Sequence, residues 1–153
     1  MAASIGFYHL TKSGLCQALP TLLSRSLQTK ERGLVLCKND NQLSEITEAL
    51  WKVIQPIWLP HGCHYSGKQD DFPEWQPIWL TVFEENPNQA AFLFLVGGQN
   101  VFQIEQFKRV FDLFDGNDPE AVKAARQRWR NLKEEGHQLT YWKQGDHGWE
   151  QGV

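Results

Sequence analysis

GLVLC (residues 33–37) is an unbroken run of small and apolar residues with charged residues on both sides. A strand with one wet face alternates apolar and polar residues. One covered on both faces reads as a continuous apolar run, the habit of a strand inside a parallel sheet. Working outward, SIGFYHL (residues 4–10) reads as a first strand, with Gly14 opening the next element. Leu15, Leu19, Leu22 and Leu23 then fall at helical spacing through about Gln28. Pro20 suits a first turn better than a helix interior, so the regular helix is expected to begin near Leu19. Downstream, Asp40 or Asn41 is the expected cap of a second helix, whose buried stripe is Leu43, Ile46 and Leu50. The succession β-α-β-α implies an α/β fold, with a mostly parallel sheet and right-handed crossovers.

The middle of the chain has a different texture. HGCHYSGKQDDFPEWQ (residues 61–76) has no periodicity and reads as a polar loop. PIWLTVF (residues 77–83) and AAFLFLV (residues 90–96) read as strands. The turn chemistry of EENPNQ between them lets them pair directly or flank one another. FKRVFDLF (residues 107–114) fits a short helix or a strand equally well. After it, Asp118 as cap and Pro119 at the first helical position start a helix that runs to about Glu135, where Gly136 stops it. HQLTYW (residues 137–142) reads as a last short strand.

Composition narrows the class. A chain of 153 residues with 41% apolar and 22% charged residues suits one globular domain and excludes a disordered tail protein. No run of about 18 apolar residues occurs, so no membrane helix is expected. The start, MAASIGFYHL, lacks a basic segment followed by an apolar one, so export is not expected. Cys16, Cys37 and Cys63 contain no CxxC pair and suggest free thiols in a reducing cytoplasm. A net charge of −3 gives the whole molecule no general attraction for nucleic acid.

Several chemistries are testable by motif. A β-α-β-α chain invites a nucleotide, but there is no GxGxxG and no GxxxxGK[ST]; the connection after the first strand is TKSG. His61, Cys63 and His64 are zinc-compatible, yet a structural zinc wants a second pair, which is lacking, so no metal is expected. A Cys–His nucleophile drawn from the same residues has no further support. His9 and His137 read as ordinary strand-edge residues. Of the seven tryptophans, Trp79 lies inside a strand and is expected in the core. Trp51 and Trp58 stand at a helix end and a loop entrance, where an exposed apolar patch would serve a partner.

EAVKAARQRWRNLKEEGHQLTYW (residues 120–142) stands apart from this acidic chain. Lys123, Arg126, Arg128, Arg130 and Lys133 place five of the fifteen basic residues within eleven positions. The inward stripe by spacing is Val122, Ala125, Trp129 and Leu132, which leaves the cations as a solvated face. Arg126, Trp129, Arg130 and Lys133 also stand at i, i+3, i+4 and i+7 and share one face. An aromatic flanked by cations at the edge of a buried stripe makes a slot with an apolar floor and a positive rim. Such a slot suits an acidic peptide carrying an aromatic residue and a free carboxylate. Single-stranded nucleic acid would use similar parts, though the patch is short for a strand-tracking groove.

At this point the chain resembles the chi subunit of bacterial DNA polymerase III holoenzyme. The resemblance is carried in order by EALW (residues 48–51), WLPHG (58–62), QPIWLT (76–81), FKRVFDLFDGND (107–118) and AARQRWRNLKEEGHQLTYW (124–142). It spans residues 1–144 as one domain and leaves 145–153 as a variable tail. It implies a Rossmann-like domain without a nucleotide or other cofactor, a cytoplasmic location, and a non-enzymatic accessory of the clamp loader. It also implies two partners. The psi subunit would meet an apolar surface around Trp51, Trp58, Leu59 and Pro60. The acidic C-terminal tail of single-stranded DNA-binding protein, which ends in Pro-Phe, would meet Lys123, Arg126, Trp129, Arg130 and Lys133. The family's aromatic is often tyrosine where this chain has Trp129. A cation found one turn upstream in some members falls at Val122 here, with Lys123 beside it.

Overall fold

The computed structural model describes residues 2–52, 59–101 and 103–152. The described residues form three α-helices and a nine-stranded sheet. The elements are β1 (Ser4–Leu10), α1 (Leu15–Gln28), β2 (Gly33–Leu36), α2 (Asp40–Trp51), β3 (Gly62–Tyr65) and β4 (Lys68–Gln69). They continue with β5 (Ile78–Thr81), β6 (Phe92–Leu95), β7 (Arg109–Asp115), α3 (Pro119–Glu134), β8 (Gln138–Gly145) and β9 (Gly148–Gly152). The sheet order is β4-β3-β5-β2-β6-β7-β1-β8-β9, parallel except for the antiparallel β4 and β9 at the two edges. The fold is therefore the α/β architecture expected from the sequence.

Side-chain alternation divides the core. Tyr8, Val35, Phe94, Phe111 and Leu113 face α1 and α2, packing with Leu19, Leu23, Leu43, Ile46 and Leu50. Phe7, Leu34, Trp79, Leu93 and Val110 face the other side, where α3 contributes Ala125 and the β6–β7 connection contributes Ile104 and Phe107. Trp79 is fully buried, as its strand position suggested. Its ring lies so close to Gly62 that a Cβ there would come within 2.6 Å, which is why β3 carries a glycine beside it.

The structure differs from the sequence reading at identifiable places. The first helix begins at Leu15, with Pro20 inside it. The ring costs one intrahelical hydrogen bond, and its burial among Leu19, Leu22 and Leu23 offsets part of that loss. The second helix is capped by Asn39, whose side chain accepts from the Gln42 N–H at 2.9 Å. Asp40 instead receives the Ser66 N–H and hydroxyl, which hold its carboxyl below the usual range. Residues 61–76 are not wholly loop: GCHY adds a strand parallel to β5, and Ser66-Gly67 turns it into β4. The strands β5 and β6 do not pair, because β2 lies between them. The ambiguous FKRVFDLF is strand β7, with Val110 and Phe114 toward α3 and Phe111 and Leu113 toward α1. Gly145 belongs to β8, and residues 148–152, assigned to a tail, form the edge strand β9.

Candidate functional site

The third helix carries the residues singled out in the sequence. Asp118 caps it by accepting the Glu120 N–H at 3.1 Å, Pro119 takes the first position, and Gly136, at φ +89°, ends it. Ala125 is buried against the sheet, and Val122, Trp129 and Leu132 pack beside it half-buried. One of the five cations leaves the exposed face. Arg128 turns inward and grips Asp112 of β7 with two hydrogen bonds of 2.8 Å. Both side chains are buried. Burial pushes the Asp112 carboxyl up, and the Arg128 fork pulls it back down. Asp112, flanked by the apolar residues of VFDLF, is the sequence signal for a buried polar partner.

Between α3 and the sheet lies a groove of about 330 Å³. Its helix wall is Val122, Ala125, Arg126, Trp129 and Arg130, and its floor is Phe7, His9, Phe114 and Tyr141. The Trp129 ring stands edge-on to Phe7, centroids 5.2 Å apart, and at a similar tilt to Tyr141 at 6.3 Å. This contact fixes the indole as a wall rather than a mobile surface group. Arg126 and Arg130 are exposed on the rim; Arg130 also donates to Gln127 at 2.8 Å. Lys123 and Lys133 are exposed on the same helix but do not line the groove. His9 hydrogen-bonds the Tyr141 hydroxyl through Nδ1. Burial pushes the His9 pKa down, a backbone hydrogen bond with Gly116 opposes it, and Lys143 and Arg126 add to the lowering. Burial pushes the Tyr141 hydroxyl up. His9, read as ordinary, and Tyr141, not singled out at all, therefore belong to the groove. Only strand register brings them together, through the Phe7↔Tyr141 and His9↔Lys143 pairs of β1 and β8.

The second group of sequence candidates lies at the far end of the sheet. Trp51, the last residue of α2, is 57% exposed, and its ring lies 4.3 Å from that of His61. Leu59 is buried and Pro60 half-buried. Trp58 lies outside the described residues. The HGCH residues are consumed by structure. His61 donates from Nδ1 to the Leu59 carbonyl at 2.8 Å and accepts the Thr47 hydroxyl at 2.6 Å. The Cys63 thiol donates in turn to Thr47 at 3.5 Å. Burial pushes the His61 pKa down and the Cys63 thiol up, so neither the imidazolium nor the thiolate of a catalytic pair is favoured. His64 instead meets Glu85 at 2.7 Å, a carboxylate shared with Thr81 and Trp79. Among the described residues no cluster of three metal-compatible side chains exists, and no helix is long and apolar enough to cross a membrane.

The loop after β1 explains the missing glycine fingerprint. Its three consecutive N–H groups, of Thr11, Lys12 and Ser13, all donate to the side-chain oxygen of Gln144 at 2.8–3.0 Å. In a nucleotide-binding fold such donors face a phosphate. Here a residue of β8 uses them, and its amide N–H also donates to the Ser13 hydroxyl at 2.6 Å.

Residues 2–140 match the family model described as DNA polymerase III chi subunit, HolC. A curated relative, the probable DNA polymerase III subunit chi of Rickettsia prowazekii (strain Madrid E), is 25% identical over 107 residues. That alignment covers 70% of this chain and 62% of the relative, so the chain spans under two-thirds of that protein's length.

Proposed function

The chain belongs to the DNA polymerase III chi subunit family, and from that premise we propose that it is a non-catalytic accessory subunit of the replicative polymerase. It joins the clamp loader, through a psi subunit, to single-stranded DNA-binding protein. The observation that carries this reading is the groove on α3, where Trp129 is braced against Phe7 below two exposed guanidiniums. The acidic tail of single-stranded DNA-binding protein supplies the complement: a terminal phenylalanine for the apolar floor and carboxylates for Arg126 and Arg130. Lys123 and Lys133, exposed outside the groove, attract the rest of the tail at longer range. Trp51 and Pro60 form the psi-facing surface in this proposal, supported by the exposure of the Trp51 indole; the buried Leu59 has no surface to offer it.

The energetics suit a reversible tether. Burying a phenylalanine contributes roughly 1.5–3 kcal/mol, and each charge-assisted hydrogen bond about 1.5–3 kcal/mol. Ordering the tail and losing rigid-body freedom cost several kcal/mol. The difference is a few kcal/mol, the range of a weak contact that releases and rebinds. The test is a calorimetric titration with an acidic peptide ending Asp-Ile-Pro-Phe against the same peptide without its phenylalanine. Binding confined to the complete peptide supports the proposal; no binding, or equal binding of both, sinks it.

A further inference from the structure

On the face of the sheet opposite α3, the hairpin of β8 and β9 encloses a second cleft of about 260 Å³ with α1. Its wall is aromatic. Tyr8 stacks on Phe111 at 5.5 Å and on Trp142 at 6.4 Å, with interplanar angles of 29° and 14°. Trp149 of β9 meets Tyr8 edge-on at 5.1 Å. Gly6 makes this possible, since a Cβ there would come within 2.8 Å of the Tyr8 ring. Trp142 and Trp149 lie beyond residue 140, where the family match ends, while the other lining residues lie within it.

The charge in the cleft is of one sign. Arg25 and Arg109 line it, and no acidic residue does. The Arg109 guanidinium lies 4.8 Å from the Phe111 ring centre, in cation–π contact. Among the described residues neither arginine has a carboxylate within ion-pair distance. Both lie near enough to Tyr8 to pull its hydroxyl pKa down, against the burial that raises it. In a protein of net charge −3, two guanidiniums without a carboxylate partner among the described residues, beside stacked rings, point to an anionic ligand.

We propose that the cleft binds single-stranded nucleic acid, one base stacking on the half-buried Trp142 and Trp149, which the buried Tyr8 braces, and its flanking phosphates meeting Arg25 and Arg109. The indole faces of Trp142 and Trp149 are the part of the wall that solvent reaches, and an indole face accepts any base by stacking. Arginine forks match phosphate oxygens in two-point geometry. A peptide is the weaker fit, because the Ser26 and Thr29 hydroxyls already donate to the Leu22 and Ser26 carbonyls and have no proton left for a peptide carbonyl. The volume is below the roughly 300–1,000 Å³ of drug-sized sites and admits a single ring system. The inference is independent of the peptide groove, which lies across the sheet.

The test is a titration of the full chain with a short, end-labelled oligothymidylate at low salt. It is read by anisotropy and by tryptophan quenching, and thermal melting certifies the fold of each variant. Binding is expected with quenching and a log–log salt slope of about −1.4, the value for two phosphates on a single strand. Trp149→Ala and Arg25→Ala, the latter on an exposed helix position, are each expected to weaken binding about tenfold. The acidic peptide is expected not to displace the oligonucleotide. No binding at low salt, affinity unchanged in both folded variants, or displacement by the peptide would each overturn the assignment. A failed peptide titration leaves this outcome untouched, so the two readings fall separately.

Discussion

Arg128 and Asp112 form a two-point ion pair, with hydrogen bonds of 2.8 Å, between α3 and the centre of the sheet. The pair sets the rotation of the helix. With Arg128 drawn inward beside Ala125, Arg126 and Arg130 are turned onto the rim of the groove and Trp129 onto its wall.

Breaking the pair from one side leaves an uncompensated buried charge. Arg128→Ala is expected to cost about 3–5 kcal/mol and to loosen α3, read as a lower denaturation midpoint. Replacing both residues, Arg128→Met with Asp112→Leu, is expected to cost clearly less. A double variant as unstable as the single one would mean the pair is not the anchor.

Peptide affinity should track position on α3. Arg126→Ala, at the rim, is expected to lose about 1.5–3 kcal/mol of binding, roughly tenfold or more, without changing the melting temperature. Lys123→Ala, outside the groove, should lose under threefold at moderate salt, as a screened charge does. Calorimetry on the two variants checks the order; the reverse order would move the site off the groove.

The His61 pKa is pushed down by burial, so the folded protein resists protonating it while the unfolded chain does not. Its stabilising contribution is complete above the ordinary histidine range near 6.5 and is lost as pH falls through the depressed folded value. His9 adds to the effect with the same sign. Melting temperature should therefore fall between pH 7 and pH 5, and His61→Gln should flatten that slope. Parallel slopes in the two proteins would remove His61 from the account.

Gln144→Ala strips the common acceptor from the N–H groups of Thr11, Lys12 and Ser13. Water reaches part of this loop, so the expected cost is about 1–2 kcal/mol, within the range for lost hydrogen bonds. Hydrogen exchange at those three amides should accelerate. Unchanged protection would show that the loop holds without its plug.

The elements whose local pattern has one physical solution were legible. The continuous apolar run of GLVLC, the stripe Leu43–Ile46–Leu50, and the Asp118-Pro119 start and Gly136 stop of α3 all stand where sequence spacing put them. So did the grouping of Arg126, Trp129 and Arg130, because residues three and four apart on a helix share a face whatever surrounds it. Fold class and half of the groove follow from such local rules.

The other half depended on which strands become neighbours. FKRVFDLF reads as helix or strand until β6 and β1 offer it hydrogen bonds on both sides, and GCHY joins the sheet only because β5 presents an edge. His9 meets Tyr141, Asp112 meets Arg128 and Gln144 reaches the loop after β1 across 132, 16 and up to 133 positions of sequence. No periodicity encodes those distances. Local sequence determined the three helices, the strands β1, β2, β5 and β6 and the cationic face of α3, because backbone geometry and burial act over a few residues. Tertiary structure alone decided which cation turns inward, what floors the groove and what occupies the loop after β1, because those outcomes depend on pairing between distant segments.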